Sequence, residues 1–104
     1  MELTSDIYRL LSRLPDYEKF GMLPQMRRAA ISIRSNIAEG AGRNSHKEFK
    51  HFLSISLGSC YELETQFKVA INLGLLDNQS AKIMIDNLIE LQKMIFALQK
   101  SIKA

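Results

Sequence analysis

The stretch Arg27–Arg43, RRAAISIRSNIAEGAGR, decides how this chain is read. With Met26 just ahead of it, its apolar residues Met26, Ala29, Ile33 and Ile37 keep the three-and-four spacing of one helix face. Arg27 and Arg34 are seven apart, hence nearly aligned on that helix, with Arg28 beside them. Glycine then enters at Gly40 and Gly42, and the helix should end near Gly40. A basic amphipathic helix thus runs into a glycine-punctuated turn, and the stretch supplies no catalytic group.

Upstream, Pro24 suits the first position of this helix, after the connector PDYEKFGM that starts at Pro15. Before the connector, Leu3, Ile7, Leu10 and Leu14 form a helical stripe widened by Tyr8 and Leu11, and Pro15 blocks its continuation. Downstream, Ser45 and Glu48 have capping-box spacing, so a third helix should begin at His46 and run to the Leu73-Gly74 stop. A fourth begins after Asp77 or Asn78. Its stripe Met84, Leu88, Leu91, Ile95, Leu98, Ile102 is a heptad pattern that packs at shallow crossing angles. Short links make consecutive helices antiparallel neighbours. The expectation is an all-α, up-down-up-down four-helix bundle with a short first helix, one domain over residues 1–104.

Composition agrees. A chain of 104 residues has two prolines, five glycines and long runs of good helix formers. Its longest apolar runs fall short of the about 18 residues that a membrane span needs, and Glu2 and Asp6 open the first helix where a secretory signal would carry basic residues. One cysteine, Cys60, allows no internal disulfide and suits a reducing cytoplasm. The location expected is cytoplasmic.

Two features do not fit a self-sufficient monomer. At about 1.5 Å per residue the third and fourth helices reach roughly 40 Å and the first roughly 20 Å, so half the groove beside the long helices should lie uncovered. In the third helix Phe52, Leu53, Ile55 and Leu57 point around most of the circumference, and the small residues Ser54, Ser56, Gly58 and Ser59 would admit a neighbouring backbone. The arrangement is that of a helix between its own bundle and a second subunit. The interface expected comprises Ile55, Leu57, Gly58, Tyr61 and Glu62, with Asn36 and Glu39 as polar groups fixing register. The alternative is that Ile55 and Leu57 sit singly on the surface.

Catalytic and metal chemistry find little support. His46 and His51 are five apart, about 140° around a helix, too far round to share a metal. Glu62 and Glu64 project to opposite sides, which argues against a carboxylate dyad. Cys60 falls in register with a core stripe that includes Phe49, Phe52, Ser56, Leu63 and Phe67, the place of a small buried hydrophobe. Gly40-Ala41-Gly42-Arg43 follows a helix and lacks the Gly-Lys-Ser/Thr ending of a phosphate loop, so it is read as a helix-ending turn that could still offer amides to an anion. No metal, cofactor or enzymatic activity is expected.

The charge is informative through its placement. The formal net charge is +3, and all six arginines lie in the first half. Between Pro24 and Phe52, Arg27, Arg28, Arg34, Arg43, Lys47 and Lys50 face only Glu39 and Glu48. Such a face is the electrostatic footprint of nucleic-acid backbone binding, with Tyr17, Phe20 and Tyr61 as weak stacking help. Alternatively the arginines pair with Glu62, Glu64 or Glu39 of a neighbouring subunit.

The same residues resemble a known family, the small four-helix bundle proteins encoded in intervening sequences of bacterial 23S ribosomal RNA genes. The resemblance runs from about Tyr17 to Gly74. It is carried by Phe20-Gly21, Gln25, RRAAISI at Arg27–Ile33, SNIAEG at Ser35–Gly40, Gly42-Arg43, KEF at Lys47–Phe49, Phe52-Leu53, and Gly58-Ser59 with ELE ending at Glu64. It implies a homopentameric ring of bundles without established enzymatic activity. A similar fold serves as the accessory variability determinant of diversity-generating retroelements, which associates with a reverse transcriptase and with nucleic acid. The resemblance implies further copies of the same chain as partners, and the related retroelement fold points to RNA or DNA and a reverse transcriptase; the short apolar runs speak against a membrane. Two departures stand out. The family pattern opens with a longer first helix, as if this chain began from an internal Met. Arg34 stands where the family often has proline, which should straighten the helix and add a cation.

Overall fold

Proline at the end of the first apolar stripe and two short links, Gly42–Ser45 and Leu73–Asp77, cut the chain into four helices. The computed structural model describes residues 2–18 and 21–102. Helix α1 spans Glu2–Leu11, α2 Met22–Ala41, α3 His46–Asn72 and α4 Asn78–Ser101, with a 3-10 turn at Asp16–Glu18. Helix α1 packs on α2 and α4, and α3 packs on the same two from the opposite side. This is the four-helix bundle expected, and among the described residues there is no strand.

The helix ends follow from local chemistry. The Ser45 hydroxyl accepts the Glu48 amide at 3.2 Å, and the Asp77 carboxylate accepts the Ser80 amide at 2.9 Å, each covering an amide of a first turn. Helix α3 stops in a Schellman arrangement. Gly74 lies at φ +71°, its amide bonds Ile71 O at 3.0 Å, and the Leu75 amide bonds Ala70 O at 2.9 Å. Helix α2 begins earlier than its proline suggests. The Glu18 side chain accepts the Met22 amide at 3.1 Å, so the helix starts at Met22 and Pro24 sits third. The proline remains in the first turn, where no intrahelical acceptor is missed.

Inward residues from all four helices make one core. It holds Ile7 and Leu11 of α1, Met26 and Ile33 of α2, Leu53, Cys60, Leu63 and Phe67 of α3, and Leu88 and Ile95 of α4. The heptad stripe of α4 loses cover along its length. Met84, Leu88 and Ile95 are buried, whereas Leu98 is 40% exposed and its neighbour Met94 62%. At 1.5 Å per residue, ten-residue α1 spans about 15 Å against about 36 Å for α4. Its contacts reach the first turns of α4, where Arg13 donates to the Ser80 hydroxyl at 3.4 Å.

The α2–α3 seam explains the small residues of α3, and differently from the expectation. The buried Ser56 hydroxyl donates to Ile33 O of α2 at 2.7 Å, and Ser59 meets the Ser32 hydroxyl at 2.8 Å. These serines admit the chain's own α2. Gly40 completes the seam: a Cβ there would lie 2.8 Å from Phe52 Cβ and 2.9 Å from Phe49 Cδ1. Gly58 is different, with open space around the position of its missing side chain.

Candidate nucleic-acid interface

The six cations of the expected basic face divide into three environments. Arg27 is half-buried with its guanidinium 5.3 Å from the centre of the Tyr8 ring of α1, and its Nε is buried without a hydrogen-bond partner among the described residues. It is held against the bundle as much as displayed. Arg28 and Arg34 are exposed on α2. Arg43 is largely neutralised: it donates to Glu39 at 2.8 and 3.1 Å, lies 3.6 Å from Glu48, and covers the Phe52 ring at 5.0 Å. The turn around it does not form an anion nest. The Gly42 and Arg43 amides bond Ala38 O and Gly40 O and so close the end of α2.

Lys47 and Lys50 face α4. They line an open recess with His51, Ser54, Phe96, Gln99 and Lys100, and among the described residues no carboxylate belongs to that lining. Gln99 fixes the register here, its Nε2 donating to Lys50 O at 3.1 Å and to the Ser54 hydroxyl at 2.7 Å. The Lys100 ammonium stands 5.0 Å from the Phe96 ring centre. The structure therefore groups Lys47 and Lys50 with Lys100, a residue absent from the expected set, and separates them from Arg27, Arg28 and Arg34. The signal was available: folding α4 back on α3 through the Leu73–Asp77 link brings the last turns of α4 beside the first turns of α3.

The expected interface residues also disperse. Ile55, Gly58 and Glu62 share the outward face of α3, where Ile55 is 39% exposed. Half-buried Leu57 packs against the core, and exposed Tyr61 lies on the α4 side, lining a recess with Phe96. Asn36 bonds within α2, donating to Ser32 O at 2.8 Å and Ser32 Oγ at 2.9 Å, and Glu39 holds Arg43. Glu62 takes a long bond of 3.5 Å from Gln66. Glu64, the other carboxylate weighed against the arginines, turns to α4. It accepts Gln92 Nε2 at 2.7 Å and pairs with Lys68 at 2.8 Å, and these partners, Gln92 first, hold its carboxyl below the usual range. Of the stacking residues, Tyr17 and Tyr61 are exposed, and Phe20 lies outside the described residues.

Two negative observations bound the chemistry. Among the described residues no group of three His, Cys, Asp or Glu side chains could hold a metal ion, and no helix is long and apolar enough to cross a membrane. Cys60 is buried in the core, and burial pushes its thiol up to about 12.

The family model of the 23S rRNA-intervening sequence protein matches residues 1–97. A crystal structure of a protein of unknown function from the S23 ribosomal protein family of Bacteroides thetaiotaomicron is similar to this chain with a TM-score of 0.88 and 25% identity. The match covers 96% of this chain and 90% of that one. No curated protein matches.

Proposed function

The chain belongs to the 23S rRNA-intervening sequence protein family, and from that premise we propose that it is a non-enzymatic cytoplasmic protein that binds the phosphate backbone of RNA or DNA. The observation that carries this reading is the meeting of Lys47, Lys50 and Lys100 on one recess with no lining carboxylate among the described residues. Arg28 and Arg34 are exposed on α2, apart from that recess, and add to the positive charge of the molecule. Cations of this kind neutralise phosphates and release counterions, which gives steep salt dependence with little sequence preference.

The test is fluorescence anisotropy with a labelled oligonucleotide over a salt series. Lys50→Glu with Lys100→Glu should weaken binding and flatten the salt slope by about one unit per lost phosphate contact, with helicity unchanged. Binding that ignores both salt and these substitutions would overturn the reading.

The protein acts as a homo-oligomer in this proposal, a pentameric ring by family resemblance. Ile55, Val69 and Leu73, respectively 39%, 40% and 64% exposed, support it, because the first two share the outward face of α3 and Leu73 lies just past its end. A second reading, a scaffold that docks a protein such as a reverse transcriptase, draws on exposed Met94 and Leu98 beyond the reach of α1. There the arginines would bridge subunits, and reversing Arg28 and Arg34 would break the oligomer; in the backbone-binding reading assembly survives.

A further inference from the structure

The α3–α4 seam carries more than charge. Phe96 is 52% exposed and Tyr61 54%, so both rings are open to a ligand from solvent. Phe96 is the wall common to two adjoining recesses. On one side lie Lys47, Lys50 and Lys100. On the other lie Tyr61, Ile89, Gln92 and Lys93. The recesses measure about 360 and 330 Å³, close to the lower end of small-ligand sites at about 300 Å³. Glu64, which meets Gln92 of the second recess, is taken up by Gln92 and Lys68.

We infer that this seam binds single-stranded nucleic acid, with unpaired bases stacking on Phe96 and Tyr61 while Lys47, Lys50, Lys93 and Lys100 hold the flanking phosphates. The inference rests on the backbone-binding reading above and adds the strandedness of the ligand. Charge alone would serve a duplex equally well. Aromatic rings between lysines serve only a strand whose bases are free to leave their stack, because the π-face of a paired base is covered by its neighbours. The Lys100 ammonium lies over one face of the Phe96 ring, 5.0 Å from its centre, so a base would stack on the ring by its other face or by displacing Lys100 toward a flanking phosphate. Gln99, bonded across to Lys50 and Ser54, keeps the two helices in the register that sets these groups side by side. Stacking and phosphate contact together need no particular base, so sequence preference should be weak.

The chain contains no tryptophan, so Phe96→Trp installs a single indole reporter in the seam. Its fluorescence should be quenched by a short oligouridylate and by the matching oligothymidylate, and left unchanged by a duplex of the same length. In parallel, Phe96→Leu should weaken single-strand binding about tenfold and leave duplex binding where it was. Tyr61→Leu should act in the same direction. Circular dichroism and light-scattering mass of each variant establish that fold and assembly persist. Equal binding of single strand and duplex, both insensitive to Phe96→Leu, would overturn stacking while leaving backbone binding intact. Failure to bind either probe at low salt would overturn both. A change of mass on Phe96→Leu would assign the seam to contact between copies of the chain and overturn the inference.

Discussion

A methyl group on Gly40 would meet Phe52 Cβ at 2.8 Å and the Phe49 carbonyl oxygen at 3.3 Å, distances that force α2 and α3 apart. Gly40→Ala should therefore lower stability by about 1–3 kcal/mol, the range of an overpacked core site, read as a shifted urea midpoint. Gly58→Ala is the control, since nothing lies within 4 Å of its added carbon. Cys60 makes a kinetic prediction. A buried thiol raised to about 12 holds almost no thiolate at neutral pH, so a thiol reagent should modify the protein only at the rate of unfolding, and rapid labelling of native protein would refute the burial. Glu64 sets the response to acid. Gln92, and then Lys68, lower its folded-state value, so its contribution to stability is present above the unfolded value of about 4.3 and is lost as pH falls through the lower folded one. The thermal midpoint should fall on acidification through that window, and Glu64→Gln should shrink the fall.

Helix ends were legible wherever one side chain decides them. Ser45, Gly74 and Asp77 each do what their type and position suggest, and Ser45→Ala should cost about 1 kcal/mol through the lost cap of α3. Pro24 misled by two residues because Glu18, four positions ahead of Met22, captures the first amide, a contact visible only once the turn between them is formed. The small residues of α3 were legible as a close-packing surface but not as to partner: Ser56 and Ser59 fit α2 of the same chain as naturally as a second subunit. The candidate site was half legible. Lys47 and Lys50 stand out in a run poor in acids, whereas Lys100 and Phe96 lie a full hairpin away and join them only through the α3–α4 register that Gln99 fixes. Arg27 and Arg43 drew attention by charge alone, and folding engages them with Tyr8 and with Glu39.

At the scale of the molecule, Met94 and Leu98 of α4 are exposed, and Ile55 and Val69 on the outward face of α3, with Leu73 just past its end, add to the exposed apolar surface. Assembly would cover such surface, and a charge introduced there, Ile55→Glu, should reduce the light-scattering mass while leaving helicity unchanged. The most direct measurement is the affinity of a fluorescent single-stranded oligonucleotide for the wild-type chain and for Lys50→Glu with Lys100→Glu, followed across a salt series at constant oligomeric mass. Tight, steeply salt-sensitive binding that the double substitution weakens and flattens is the result expected. Binding that is absent at low salt, or unchanged by the double substitution, would contradict the assignment of the seam.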